Sequence, residues 1–312
     1  MAGITDNPFR ELCRRFGAGL TTSEMVASDA SFWKSEKTQQ RLVFSKDEFP
    51  ISVQIVGSDP IKMANAARFN VDNGAHIIDI NMGCPAKKVC NVAAGSALLK
   101  NEELVAQILE TVVESVSVPV TLKMRTGWSK TDKNGRVIAD IAEASGIAAV
   151  AIHGRTRECK YRGEAEYELI AEIKRRLSIP VIVNGDIDSP EKAKQVIDYT
   201  SADAVMVGRA AQGNPWLFKE INAYLKTGVK LKAPAISERC LVVSEHLKNL
   251  HSFYGEYRGV RIARKHINWY CSGIDNYTSF KKVINKIDSA NEQLECVNLF
   301  FQQLIIQGDK AA

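Results

Sequence analysis

The segment Ile77-Ile78-Asp79-Ile80-Asn81-Met82-Gly83-Cys84-Pro85 decides the fold class of this chain. With the two-residue period of a β-strand, its apolar side chains fall on one face, and Asp79 and Asn81 fall on the other. A glycine and a proline end the strand, so Cys84 lies on the turn that follows. The pattern favours a strand whose apolar face packs under helices and whose polar face points into a barrel. A thiol at that end is a candidate proton donor or nucleophile, although a free cysteine is more often a small buried hydrophobe.

Composition is that of an ordinary globular protein, with 312 residues, 45% of them hydrophobic and 25% charged. No apolar run reaches the roughly 18 residues of a membrane-spanning helix, and we expect a cytoplasmic protein with no membrane association. Seven cysteines, an odd number, do not suit a disulfide framework, and their spacing does not suit a zinc site. The net charge of +5 is compatible with nucleic acid but is not diagnostic.

Seven short β-like runs alternate with helical patterns along the first two thirds of the chain. The runs are Leu20–Met25, Ile51–Gly57, Ile77–Gly83, Pro119–Arg125, Ala148–Gly154, Pro180–Gly185 and Ala204–Gly208. Helix start signals stand at Asp59-Pro60, Asn101 and Ser189-Pro190, before helical patterns over 61–73, 102–115 and 191–198. This alternation predicts βα units, a parallel sheet and an α/β (β/α)₈ barrel. A doubly wound open sheet is the alternative, but no G-x-G-x-x-G motif follows the first run.

The beginning of the chain indicates that one barrel strand is missing. Met1-Ala2-Gly3-Ile4-Thr5-Asp6, followed by Pro8, is typical of the end of a strand and the loop into a helix. We therefore expect the natural start to lie upstream, or this chain to be a truncated form. A seven-stranded remnant would leave two strand edges unpaired.

Polar residues recur near the C-terminal ends of the predicted strands, on the face opposite the apolar residues. They are Gln54, Asn81, Lys123, His153 and Asn184. Burying a lysine or a histidine without a partner is costly, so a single such residue could be a structural accident, but five at one rim are better explained by a polar ligand. Active sites of (β/α)₈ barrels lie at this end.

The last two predicted strands end in turns suited to an anion. The turns are Asn184-Gly185-Asp186 and Gly208-Arg209-Ala210, and Gly213 precedes the next helix. Glycines let backbone N–H groups approach an anion, and barrel phosphate sites follow strands 7 and 8. Ordinary βα loops remain the alternative, but the position and Arg209 favour a phosphate site.

The chain changes character after a segment at 226–234. From Ser237 onward four helical patterns predict a small helical bundle, which gives a barrel domain at 1–232 and a helical domain at 233–312. The second pattern combines basic and aromatic residues, namely Tyr257, Arg258, Arg261, Arg264, Lys265, His266, Trp269 and Tyr270. Two interpretations stay open: contacts to RNA phosphates and bases, or a solvated basic face with Trp269 and Tyr270 in the bundle core.

These motifs together resemble the tRNA-dihydrouridine synthases, most closely the bacterial B-type, from Met1 to about Leu304. The matching stretches are Met1–Asp6, Gln54–Gly57, Asn81–Pro85, Leu122–Arg125, His153–Thr156, Asn184–Asp186, Gly208-Arg209, Arg264–His266 and Trp269-Tyr270. Many motifs in one order over nearly the whole chain make the resemblance specific.

The resemblance implies an FMN-containing barrel that uses NADPH to reduce a uridine in the D-loop of tRNA, with position 17 as the expected target. It implies that Cys84 is the proton donor and that Asn81 contacts the target base. The implied flavin contacts are Met1, Ala2, Gln54, Lys123 and His153, and the implied phosphate contacts are Asn184, Gly185, Asp186, Gly208 and Arg209. We add Arg155, Arg261 and Lys265 as candidate contacts to the RNA.

Two other functions remain open at this stage. One is an FMN reductase of free pyrimidines, similar to dihydroorotate dehydrogenases, which the basic helical domain disfavours. The other is a flavin-free tRNA-binding protein or chaperone, which the missing strand makes plausible. We expect no metal, no membrane and no protein partner.

Overall fold

A computed structural model describes residues 1–45, 48–274 and 276–311, and in them seven strands form one parallel sheet. The strands are β1 Val26–Ala27, β2 Ser52–Val56, β3 Ile77–Met82, β4 Val120–Arg125, β5 Ala149–His153, β6 Val181–Asn184 and β7 Ala204–Met206. Each strand pairs with the next one along the chain. This order, with a helix after almost every strand, is the repeat from which (β/α)₈ barrels are built.

Helices cover the outer face of the sheet. They are α1 Asn7–Arg15, α2 Glu36–Arg41, α3 Pro60–Asp72, α4 Lys87–Cys90, α5 Glu102–Ser115, α6 Gly135–Ala144, α7 Glu168–Arg176, α8 Pro190–Thr200 and α9 Trp216–Thr227. The side chains of Asp59, Asn101 and Ser189 each accept a hydrogen bond from a backbone N–H three residues on, as N-caps do. The three helix starts predicted from the sequence are confirmed.

The first predicted strand was wrong in position, because β1 begins after the run 20–25 and not within it. The backbone N–H of Ser23 donates to the carbonyl of Ser52 at 3.0 Å. The hydroxyl of Ser23 then accepts the N–H of Gln54 at 3.1 Å, where a strand would offer a backbone carbonyl. The regular ladder therefore starts only at Val26, opposite Ile55.

The space between β7 and β1 is filled by the beginning of the chain. In the described part of the sheet, β1 pairs only with β2, and β7 pairs only with β6. The N–H of Ile4 bonds the Glu24 carboxylate at 2.9 Å, next to β1. Phe9 and Cys13 of α1 pack on Ala211, just past β7. Side-chain packing thus joins the two ends of the sheet where no strand pairing does.

The faces assigned to β3 from its alternation are confirmed. Ile78, Ile80 and Met82 are fully buried in the core that includes side chains of α3 and α5. Asp79 and Asn81 are also buried, but they make polar contacts on the opposite face. Both faces of the sheet are therefore covered, as parallel sheets require.

Four helices follow the sheet and enclose a second core. They are α10 Ile236–Tyr254, α11 Glu256–Cys271, α12 Tyr277–Ile284 and α13 Ala290–Ala311. Val243, Leu247, Ile267 and Phe301 are fully buried between them. The four helical segments expected from the sequence are confirmed, while the division at 232 and 233 stays a prediction.

Tyr270 is fully buried in this second core, and Trp269 packs edge-on against the buried ring of His266 with centroids 5.1 Å apart. Their packing favours the second interpretation of these aromatic residues, in which they stabilise the bundle. Tyr257, by contrast, is exposed, and the guanidinium of Arg261 lies over its ring at 3.7 Å.

Gly213 brings the loop after β7 against the backbone of α11. Its φ is +70°, and a Cβ built on it would lie 2.4 Å from the carbonyl carbon of Trp269 and 2.7 Å from the nitrogen of Tyr270. No side chain fits at that distance. The sequence suggested that glycines here serve an anion site, but the contacts of Gly213 are with a helix.

Replacing Gly213 by alanine should weaken the protein more than the same change at Gly228. Gly228 has nearly the same φ, +72°, but a Cβ there meets nothing within 4 Å. Both variants bear the left-handed strain of about 1 kcal/mol. Only Gly213→Ala also forces two backbones apart, and we expect it to lower the free energy of unfolding in urea by a further ~2 kcal/mol. Equal losses in the two variants would contradict this account of Gly213.

Candidate active site

The C-terminal ends of β2 to β6 bring the predicted polar residues to one end of the barrel. The paired positions are Gln54 with Asp79, Asn81 with Lys123, Arg125 with His153, and His153 with Asn184. Parallel strands in register present their side chains at matching levels, so these residues line one mouth.

Gln54, Asp79 and Asn81 form a continuous row of hydrogen bonds inside the barrel. The side-chain amide nitrogen of Gln54 donates to Asp79 Oδ2 at 2.6 Å. The amide nitrogen of Asn81 donates to Gln54 Oε1 at 2.7 Å. Thr121 donates its hydroxyl to the other oxygen of Asp79 at 2.7 Å. Every member of the row has a fixed orientation, because each contact matches a donor with an acceptor.

The turn that carries Cys84 is fixed at both of its backbone groups. Asn81 Oδ1 accepts the N–H of Gly83 at 3.2 Å and that of Cys84 at 3.0 Å. The carbonyl of Cys84 accepts the Ser96 hydroxyl at 2.8 Å. Arg125 Nε donates to the Gly83 carbonyl at 2.7 Å. The backbone of the turn that carries the half-buried thiol is thus held in place by Asn81, Ser96 and Arg125.

Burial raises the pKa of the Cys84 thiol above its ordinary value, and the nearby Cys90 adds to the increase. A backbone hydrogen bond from Ala86 and the charge of Arg125 oppose this increase without cancelling it. The thiol is therefore protonated at neutral pH. Such a group suits proton donation better than nucleophilic attack.

Lys123 is a half-buried ammonium group with no hydrogen-bond acceptor in residues 1–45, 48–274 and 276–311. Burial, followed by the charge of Arg125, lowers the pKa of Lys123 to about 7, although Asp79 acts in the opposite direction. A cation kept in this way inside a barrel is stabilised by an anionic or carbonyl-bearing ligand.

His153 is neutral, because burial and four neighbouring cations lower its pKa to about 2. Its Nε2 lies 3.3 Å from Nη1 of Arg155. Since a guanidinium can only donate, Nε2 must accept and Nδ1 carries the hydrogen. His153 therefore offers a second neutral donor at the mouth.

Arg155 is buried and directs its guanidinium to Asp186 and to loop carbonyls. Its two terminal nitrogens lie 2.9 and 2.6 Å from the Asp186 oxygens, and Nη2 also donates to Gly163 O at 2.6 Å. Burial alone would raise the pKa of Asp186, but the bonds from Arg155 and Ala165 and the charge of Arg209 bring it below its usual value. Arg155, which we predicted to contact RNA, is occupied by protein acceptors.

The turns after β6 and β7 lie side by side. Asn184 donates its amide to the Met206 carbonyl at 2.7 Å, which joins the two strand ends. Arg209 lies over this junction, 3.3 Å from Asp186 Oδ1. The backbone N–H groups of Gly208 and Arg209 have no acceptor in the part of the chain that the structure describes. A Cβ on Gly208 would meet nothing within 4 Å, so this backbone is accessible to a ligand.

The beginning of the chain and α11 complete the rim. Met1 and Ala2 are exposed, and the Met1 sulfur lies 3.8 Å from the amide nitrogen of Gln212. Lys265 donates to the carbonyl of Gly3, which brings α11 to the same rim. Arg261 points elsewhere, toward Asp288 at 3.4 Å. Of the two basic residues chosen on this helix, the structure brings only Lys265 to the rim.

Three residues of the site escaped the sequence-based selection: Asp79, Thr121 and Arg125. Each lies two positions from a selected residue on the same strand, so each faces the same way. The alternation that identified Asn81 and Lys123 contained this signal.

Comparison with known proteins decides the family. The family model described as dihydrouridine synthase (Dus) matches residues 1–305. The chain belongs to the dihydrouridine synthase family. The resemblance inferred from the motifs is therefore confirmed, and the family supports the enzyme hypothesis over its two alternatives.

Relatives of the dihydrouridine synthase family match almost the whole chain. tRNA-dihydrouridine synthase B of Pseudomonas aeruginosa is 56% identical over 303 residues, which cover 97% of this chain and 91% of the relative. The protein of the same name from Shewanella oneidensis is 54% identical, with coverage of 98% and 94%. Among solved structures, histamine dehydrogenase from Rhizobium sp. 4-9 matches with a TM-score of 0.53 and 13% identity, covering 78% of this chain and 47% of that one. That likeness concerns the fold alone and agrees with the predicted fold class.

The described residues contain no helix long and apolar enough to cross a membrane. They also contain no group of three or more His, Cys, Asp or Glu side chains that could hold a metal ion. All seven cysteines are free thiols.

Alkylation of Cys84 should follow its raised pKa. Because only the thiolate reacts with iodoacetamide, we expect slow labelling of the Cys84 peptide at pH 7 and a rate that still increases above pH 9. Mass spectrometry of that peptide after timed labelling measures the rate. A plateau reached below pH 8 would show an activated thiolate and would contradict the role of an acid.

Proposed function

We propose that this chain is a flavin-dependent tRNA-dihydrouridine synthase that binds FMN, takes its electrons from NADPH and reduces a D-loop uridine of tRNA, position 17 being the target. The observation that carries the proposal is the position of Cys84, whose backbone N–H donates to Asn81 Oδ1 at a mouth that also presents Gln54, Lys123 and His153. Burial keeps its thiol protonated. The names of the relatives support the same substrate and product.

The side chains at the mouth fit the carbonyl groups and negative charge of a flavin ring. Gln54 donates one amide hydrogen to Asp79 and keeps the other for a ligand. Lys123 adds an unpaired ammonium, and His153 adds its Nδ1–H. A site composed of donors with one cation suits the acceptor groups of a ligand, such as the carbonyl oxygens of a flavin ring. FMN, when bound, supplies the hydride for C6 of the uracil ring.

The turns after β6 and β7 fit the phosphate of the cofactor. The N–H groups of Gly208 and Arg209, together with the Arg209 guanidinium, offer donors and positive charge. A carboxylate in such a place would repel a phosphate. Asp186 is compatible with it because Arg155 neutralises Asp186 through two hydrogen bonds. In this proposal Arg155 acts on the phosphate site and not on RNA. Met1, Ala2, Asn184 and Gly185 remain candidate contacts to the cofactor.

Cys84 supplies the proton that C5 of the uracil ring needs. Its thiol is neutral at pH 7, and its backbone is fixed on both sides, so the proton has a defined position. The remaining amide hydrogen of Asn81 is a donor for a carbonyl oxygen of the same base. The thiol of Cys84 and the amide of Asn81 that binds the uracil base are therefore separated by a single turn of the backbone.

The target uridine must leave its stack to enter the mouth, at a cost of a few kcal/mol. Contacts to RNA phosphates can offset that cost. Lys265 lies at the rim beside Gly3, where it can meet RNA close to the mouth. Arg261 lies with Asp288 on the outer part of the bundle and would contact RNA farther from the target.

Substitution of Cys84 tests the proposal directly. In a strain that lacks this gene, the wild-type chain should restore dihydrouridine at position 17, and Cys84→Ala should restore less than about a hundredth of it, because the general acid is missing. Purified Cys84→Ala should still be yellow. Mass spectrometry of isolated tRNA measures the product, and Cys296→Ala, a change in α13, serves as the matched control.

The outcomes of this experiment separate the candidate functions. Colourless wild-type protein that binds tRNA would favour the flavin-free alternative. Yellow protein that reduces free uracil or orotate but leaves tRNA unchanged would favour the pyrimidine reductase. Full product from Cys84→Ala would remove Cys84 from the chemistry.

The affinity for FMN should depend on pH through Lys123. Below about pH 7 the free site already carries the ammonium charge, whereas above it a bound anion must draw a proton onto Lys123. We expect FMN affinity to fall between pH 7 and 9, by at most about tenfold per pH unit. Fluorescence titration of the apoprotein measures it. Lys123→Met should bind more weakly and without this dependence, and a pH-independent wild type would contradict the assignment.

A further inference from the structure

Asp79 lies deep in the barrel and has no place in the chemistry described above, yet it begins the row of hydrogen bonds that ends at Cys84. The row runs from Asp79 Oδ2 to the Gln54 amide, from Gln54 Oε1 to the Asn81 amide, and from Asn81 Oδ1 to the N–H of Cys84. The distances are 2.6, 2.7 and 3.0 Å.

Among the three side chains of this row, only that of Asp79 has no choice between donating and accepting. A side-chain amide presents oxygen or nitrogen to a neighbour after a flip of 180°, so Gln54 and Asn81 could each point either way. An ionised carboxylate can only accept. Asp79 therefore requires the nitrogen of Gln54, which leaves the Gln54 oxygen facing Asn81, which in turn directs the Asn81 oxygen toward Cys84.

We propose that Asp79 is a positioning residue that sets the polarity of this amide relay, defined as Asp79, Gln54 and Asn81, and thereby places the Cys84 turn. With the opposite polarity the Asn81 nitrogen would face the N–H groups of Gly83 and Cys84, donor against donor. The turn would lose both bonds that Asn81 Oδ1 provides. In the observed polarity, Gln54 and Asn81 present amide hydrogens, and no oxygen, to the mouth.

Both oxygens of Asp79 face donors, the amide of Gln54 and the hydroxyl of Thr121, so the contacts match the ionised form that the relay requires. Burial raises the pKa of Asp79 above its ordinary value, and these two hydrogen bonds and the charge of Lys123 oppose the increase without cancelling it. Thr121 bonds only the oxygen that does not face Gln54. Thr121 is therefore attached to the carboxylate without belonging to the relay.

Amide hydrogen exchange in the purified chain tests the relay. In Asp79→Leu the bond that orients Gln54 is lost and only the N–H groups of its own turn still orient Asn81, and we expect the N–H groups of Gly83 and Cys84 to exchange up to about tenfold faster, as the loss of one hydrogen bond predicts. Amides within β3 should change less than twofold. Asp79→Asn, which keeps an oxygen for Gln54, should lie between the wild type and Asp79→Leu. Thr121→Val is the matched control and should leave the turn unchanged.

A double variant shows whether Asp79 acts through Asn81. Asn81→Leu removes the acceptor itself and should accelerate the same two amides. Adding Asp79→Leu to Asn81→Leu should then have no further effect, because the relay is already broken, whereas independent effects would add. If Asp79→Leu does not fold, Gln54→Met interrupts the relay at its middle and carries the same expectation.

The consequence for turnover rests on the proposed function. At saturating FMN, Asp79→Leu should keep its KM for tRNA, and kcat for dihydrouridine should fall at least about tenfold, since the acid is misplaced and not removed. Wild-type protein without dihydrouridine activity would refute the proposed function and leave the exchange result standing. Unchanged exchange at Gly83 and Cys84, equal acceleration throughout β3, or additive effects in the double variant would overturn the relay.

Discussion

The in-register pairing of β2 to β6 is the constraint on which the rest of the site depends. Because Asn81 lies opposite Lys123 and Arg125 lies opposite His153, side chains 42 and 28 residues apart in sequence meet at two successive levels of the barrel. Hydrogen bonds between backbones, and not the polar groups themselves, hold them there. The strand pairing thus keeps these polar side chains in a buried place that they would not occupy without it.

That arrangement concentrates positive charge in a small buried volume. Lys123, Arg125, Arg155 and Arg209 all act on His153, which is why this imidazole is neutral. Two carboxylates oppose them from different sides: Asp79 acts on Lys123 inside the barrel, and Asp186 pairs with Arg155 at the phosphate turns. The pairing of Asp186 is complete, whereas Lys123 keeps an unpaired ammonium among the described residues. The site is therefore best compensated by an anionic ligand at Lys123, in agreement with the cofactor proposed here.

Much of this could be predicted from the sequence, because local rules govern it. The two-residue period identified the strand faces and the polar rim, and capping residues marked the helix starts. The features that local rules did not predict are non-local. The occupation of Arg155 by Asp186, 31 residues away, depends on two loops meeting, and the close approach of Gly213 depends on α11. The shift of β1 arose because one hydroxyl, that of Ser23, replaced a backbone acceptor.

The helical part contacts the barrel where strand pairing does not join its ends. Tyr254 of α10 donates to Asp6, the N-cap of α1, at 3.0 Å, and Lys265 of α11 donates to Gly3. Gly213 packs directly on the α11 backbone. These contacts tie α11 to the segment that completes the rim, so the orientation of the basic helix and the position of the mouth are not independent. In the proposed function, a tRNA that contacts both would be held at one angle to Cys84, so this contact would act on the choice of uridine together with the pocket.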